Sequence, residues 1–161
     1  MLKSLNNKIL ISILIISSFI IISAYTIEHG MGYKACKLCI YERLPYIVSI
    51  PLIIYMLFFA NYKKEILLIL VVIFSLGSLL SFYHFGIEQG FFTESFACKH
   101  LNLEEVSSKE QLLEELKKNT MVSCKDVSFK IFGLSLAAIN TIFSIVLSAI
   151  FVKLLINYEK N

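Results

Sequence analysis

Apolar positions along this chain gather in four long, nearly unbroken blocks, at residues 9–25, 44–60, 66–83 and 131–156. Serines are the polar interruptions of the first block, and a serine and two prolines mark the second. The third carries serines and Gly77, and the fourth has a single charge, Lys153, near its end. Strict alternation of apolar and polar positions, the mark of a membrane-spanning strand, is missing from all four. In lipid every backbone amide must find a partner within the protein, so each block is predicted to be a helix. The first three cover 17 or 18 residues, roughly 25–27 Å of helix. That falls short of a ~30 Å hydrocarbon core, so flanking residues are expected to complete each span. The predicted architecture is an all-α membrane protein, a single four-transmembrane-helix bundle over residues 1–161.

Polar residues between the blocks set the orientation. Four spans leave both termini on one side, where the short segments hold Lys3, Lys8, Lys63, Lys64, Lys153 and Lys160 against Glu65 and Glu159. The other side carries the remaining nine basic and ten acidic residues, mostly in long loops. Basic residues in short loops favour the cytoplasmic face. Both termini are therefore expected in the cytoplasm, with loops 26–43 and 84–130 outside. The first block starts like a secretion signal, but no A-x-A-like site follows and Tyr25 stands where a small residue is needed, so this helix is expected to be retained. Within the long outer loop, Ser107 and Glu110 have capping-box spacing, and Leu112, Leu113 and Leu116 follow at helical spacing. A short amphipathic helix on the membrane surface is the expectation.

Composition agrees. Hydrophobic residues make up 57% of the 161 and charged residues only 17%, which leaves too few polar groups to cover a water-soluble domain of this size. A net charge of +3 without a basic stripe gives nucleic acid no footprint.

The chemistry lies in four cysteines, Cys36, Cys39, Cys98 and Cys124, all in the predicted outer loops. Outside the bacterial cytoplasm thiols are oxidised, so disulfides are expected there. Three pairings are open to four cysteines. The close pair, Cys36-Lys37-Leu38-Cys39, can bridge itself through a tight, exchange-prone turn of the kind found in redox sites. A Cys98–Cys124 bridge would then close the distant pair. A four-cysteine zinc site is the main chemical competitor, but Cys98 and Cys124 do not supply the second close pair it needs. If the second helix already runs through Cys39, then Arg43 shares its face one turn on and stabilises a Cys39 thiolate. Otherwise Arg43 snorkels to lipid head groups. His29 and His84 end two spans on the same side, which would also suit a bis-histidine haem. A dithiol oxidised at the membrane edge must pass on two electrons and two protons, and a lipid-soluble quinone accepts both. Two cysteine pairs in series would form a relay from a soluble partner to that quinone.

The string Cys36-Lys37-Leu38-Cys39-Ile40-Tyr41-Glu42-Arg43 resembles the signature of the disulfide-bond formation protein B (DsbB) family. Cys124-Lys125-Asp126-Val127-Ser128-Phe129, the Phe132–Ala137 stretch, Asn140 and the Tyr83-His84 pair are similar to further parts of it. The resemblance implies a cytoplasmic-membrane enzyme that reoxidises a periplasmic thioredoxin-fold oxidase resembling DsbA, in support of disulfide formation in exported proteins. It also implies roles: Cys98 bonds the partner, Cys124 resolves that bond, and Cys36 and Cys39 receive the electrons. Cys39 and Arg43 would then meet ubiquinone or menaquinone, with His84 at the same site. The chain departs from the family in having no tryptophan. A vitamin K epoxide reductase-like enzyme is a related possibility, but its CxxC normally comes late in the bundle. Alternatives from other classes are a membrane assembly factor holding metal or haem through these cysteines and histidines, and a structural membrane protein with two inert disulfides.

Overall fold

The computed structural model describes residues 7–59, 61–93, 98, 123–125, 129–131 and 133–160. Helix α1 covers Asn7–Tyr25 and passes into a π-helical turn, Thr26–Gly30. A short helix α2, Lys37–Tyr41, leads through a turn into α3, Leu44–Phe58, and α4 runs from Lys63 to Glu88. A hairpin of two short strands, β1 (Lys130–Ile131) and β2 (Leu134–Ser135), precedes α5, Leu136–Lys160. Counted with their adjoining turns, four helical segments of 22 to 26 residues are long and apolar enough to span a bilayer. The chain is a multi-pass membrane protein with cysteine pairs between its helices. The expected surface helix around Leu112 lies outside the described residues.

Two element ends lie five residues from the expected ones. The third span was expected to stop at Tyr83, but α4 continues to Glu88, and Gly90 just beyond takes the left-handed φ of +79° that closes such a helix. His84 is thereby a helical residue and not a loop residue. The fourth span was expected from residue 131, yet α5 begins at Leu136. Gly133 has a φ of +84°, which turns the chain into the hairpin instead of continuing a helix.

The bundle's core is built where α3, α4 and α5 meet. Phe74 of α4 stacks on Phe151 of α5 at 5.3 Å, and the Tyr46 ring of α3 meets Phe74 edge-on at 5.5 Å. Ile53, Met56, Leu67 and Leu70 complete this layer, and α1 adds Leu10 and Ile13. Lipid tails are as apolar as these side chains, so packing and inter-helical hydrogen bonds hold the helices together. One such bond joins Ser75 of α4 to Ser148 of α5 at 2.9 Å. Apolar residues such as Ile11, Ile22, Leu76 and Leu79 point outward, as a lipid-facing surface requires. Lys64 meets Glu159 at 2.8 Å, so the start of α4 lies beside the end of α5. The far end of α4 belongs to the cysteines.

Candidate functional site

A second buried cluster at that far end joins Cys36, Leu38, Ile87, Cys98 and Cys124, with Cys39, Leu80 and Tyr83 packed against it. Cys98 and Cys124 form a disulfide, while Cys36 and Cys39 are free. The two pairs thus share one apolar compartment. The loop pair is buried beside Cys36 in this arrangement.

Cys36 is the N-cap of α2, with extended backbone, and its Sγ accepts the backbone N–H of Cys39 at 3.1 Å. The two free Sγ atoms are 2.7 Å apart. Hydrogen bonds from the Cys39 side chain and from backbone N–H groups hold the Cys36 thiol below the usual cysteine range, against the opposing effects of burial and Glu42. The local sequence explains this geometry. Pro45 fits only the first turn of a helix, so α2 ends at Tyr41 and α3 starts afresh at Leu44.

That break leaves unmet the condition on which Arg43 would share a face with Cys39. With α2 ended, Arg43 does not continue the face of Cys39. Its guanidinium bonds Glu28 at 2.5 Å and lies 5.3 Å over the Tyr25 ring. Support for a thiolate comes from the start of α2 and falls on Cys36.

His84 is buried, and each ring nitrogen has a partner. Nδ1 is 2.7 Å from Glu42 Oε1 and Nε2 is 3.5 Å from Cys36 Sγ. A carboxylate can only accept, so Nδ1 carries the proton and donates to Glu42. The other Glu42 oxygen accepts from Asn140 Nδ2 at 2.9 Å. Asn140 also donates to Ser81 at 2.7 Å and accepts from the Tyr46 hydroxyl at 2.6 Å. Tyr46 in turn reaches Ser144 at 3.1 Å. Polar groups in a membrane interior are costly unless satisfied, and this network satisfies them across α3, α4 and α5. Sequence reasoning missed Glu42, Glu28 and Tyr46 as site residues. A carboxylate at the mouth of an apolar span was the available signal for Glu42.

A cavity of about 590 Å³ opens beside these groups. Cys36, Cys39, Arg43 and His84 line its polar end, and side chains such as Ile16, Phe19 and Phe143 form its apolar walls. Its size is that of a typical small-molecule site. Cys36, Cys39 and His84 bring three metal-binding donor atoms within 4.8 Å of one another. Two thiolates on one tetrahedral zinc would stand roughly 3.8 Å apart, given Zn–S bonds of ~2.3 Å. At 2.7 Å the two sulfurs are placed to form a bond with each other. His29 is exposed and stacked on Tyr25, while both nitrogens of His84 are already engaged. The structure does not assemble a bis-histidine haem site from this pair.

The family model described as "Disulfide bond formation protein DsbB" matches residues 6–154. The chain belongs to the DsbB family. The resemblance drawn from the cysteine octapeptide is confirmed over nearly the whole sequence, and with it a role in disulfide-bond formation as a thiol oxidoreductase. A relative in Rickettsia prowazekii (strain Madrid E), "Uncharacterized protein RP370", is 30% identical over 156 residues, covering 96% of this chain and 90% of its own. No solved structure matches the chain. Its place in the DsbB family gives the buried cysteine cluster a chemical context: the two pairs of a disulfide-forming protein lie in contact range of one compartment.

Proposed function

We propose that this protein reoxidises a periplasmic thioredoxin-fold dithiol partner resembling DsbA and passes the electrons to a membrane quinone, ubiquinone or menaquinone. The membrane is the bacterial cytoplasmic membrane, with both termini inside. Electrons enter at Cys98 and Cys124, move by thiol–disulfide exchange to Cys36 and Cys39, and leave at the cavity. One observation carries the reading: the close cysteine pair lines an apolar cavity while the loop pair is buried in the same cluster.

The residues present fit a quinone. Apolar walls suit its ring and tail, and the polar end offers the Arg43 guanidinium to its oxygens, with His84 beside it. A bound quinone supplies the acceptor for two electrons and two protons. The protein's own residues hold the dithiol at the cavity edge, keep Cys36 activated, and exclude bulk water. A haem-binding assembly role draws less support, because the histidines are separately engaged.

The test follows quinone absorbance anaerobically in detergent, with a reduced thioredoxin-fold partner in excess. Sustained reduction of ubiquinone or menaquinone is expected. No reduction of either, in protein whose four cysteines are intact, overturns the reading.

A further inference from the structure

Carboxylate, imidazole and thiol stand in line at this site. Glu42 Oε1 holds Nδ1 of His84 at 2.7 Å, which places a proton on Nδ1 and turns Nε2 toward Cys36 Sγ at 3.5 Å. All three groups are buried, at 6%, 2% and 5% exposure. An orienting acid, a base and a nucleophile in hydrogen-bond sequence are the parts by which a buried thiol is activated. Burial alone would oppose ionisation of Cys36, so its proton needs a local acceptor.

From this geometry we propose that His84 is the proton acceptor and donor for Cys36, and that Glu42, itself held by Asn140, is the positioning residue that keeps His84 in that role. The inference deepens the proposed function, on which its purpose rests. When Cys36 and Cys39 are oxidised, both S–H bonds break and one S–S bond forms. The Cys36 proton goes to Nε2, and the two electrons and two protons released in all are taken by the quinone. During internal exchange the step runs in reverse. Nε2 takes the proton of one loop cysteine as its sulfur breaks the Cys36–Cys39 bond, the loop disulfide forms, Cys36 receives that proton from Nε2, and the proton of the second loop thiol goes to Cys39. No further oxidant is needed for that exchange.

The charged and titratable groups around His84 define the expected pH response. Glu42 faces it from the turn after α2, Glu88 Oε1 lies 4.0 Å from Nε2 on its own helix, and the Cys36 and Cys39 sulfurs face it from the start of α2. Lys130 of the hairpin acts on Glu88 in turn, and Arg43 on the cavity wall is bonded to Glu28. Asn140, the group from α5, is neutral. Removing the charge of Glu42 therefore has two opposite consequences. As a bare neighbouring charge Glu42 disfavours a Cys36 thiolate, so its loss would lower the pH at which Cys36 ionises. As the partner of a proton-accepting His84 it favours the thiolate, so its loss would raise that pH.

The experiment reads this sign. Quinone-free protein in detergent, reduced with dithiothreitol, is alkylated with iodoacetamide across a pH series, and modification of Cys36 is followed by mass spectrometry. In Glu42→Gln, which keeps the side chain's size, the midpoint is expected to rise by about one pH unit. Alkylation below both midpoints is then about tenfold slower. His84→Asn should show the same rise, and Glu42→Asp should restore part of it. An unchanged or lowered midpoint in both Glu42→Gln and His84→Asn overturns the proposal. A rise in His84→Asn alone overturns the role of Glu42. Because quinone is absent, a failure of the quinone reading would leave these midpoints where they are.

Discussion

Replacing Cys36 by serine is expected to lower steady quinone reduction by more than about a thousandfold, since a hydroxyl neither attacks a disulfide nor forms one. The same variant should still oxidise one equivalent of partner dithiol, because the Cys98–Cys124 disulfide is intact and needs no help for a single exchange. Cys98→Ser should lose steady turnover too, and the single exchange with it. Thiol counting on the partner after rapid mixing separates the two variants. A full burst from Cys98→Ser, or continued turnover by Cys36→Ser, would contradict the order of the relay.

The second large effect concerns stability. Asn140 is bonded to Glu42, Ser81 and Tyr46, so one side chain of α5 ties together the turn before α3, the end of α4 and the start of α3. Asn140→Ala removes three inter-helical bonds, each worth ~0.6 kcal/mol in a membrane interior. It also leaves a buried oxygen of Glu42 without that donor, a further ~1 kcal/mol or more. A loss of about 3 kcal/mol is expected, read as earlier thermal or denaturant unfolding in detergent. A control at a lipid-facing position, Leu79→Ala, should change little. Unfolding of Asn140→Ala indistinguishable from that control would mean that the network is not a structural joint.

The four spans were legible because long apolar runs have no other stable use in a chain of this size. Their ends were not. Where α4 stops and α5 starts depends on Gly90 and Gly133, whose positive φ values belong to the folded chain and not to hydropathy. The cysteines and the octapeptide pointed to the family because chemistry-bearing residues at fixed spacing survive as a local string. Whether Arg43 shares a face with Cys39 depends on an unbroken helix, which the sequence leaves open and which the start of α3 at Leu44, just before Pro45, does not provide. The bond from Asn140 to Glu42 spans 98 residues, and no local pattern announces such a pair. His84 had been noticed, but its meaning came only when α4 carried it inward to meet Glu42 and Cys36.

The most direct measurement asks where the electrons rest. Oxidised, quinone-free protein would be mixed with a limiting amount of reduced partner, quenched with an alkylating reagent, and mapped cysteine by cysteine. The relay predicts label on Cys36 and Cys39, with Cys98 and Cys124 bonded again. Label confined to Cys98 and Cys124, with the Cys36–Cys39 bond untouched, would contradict it.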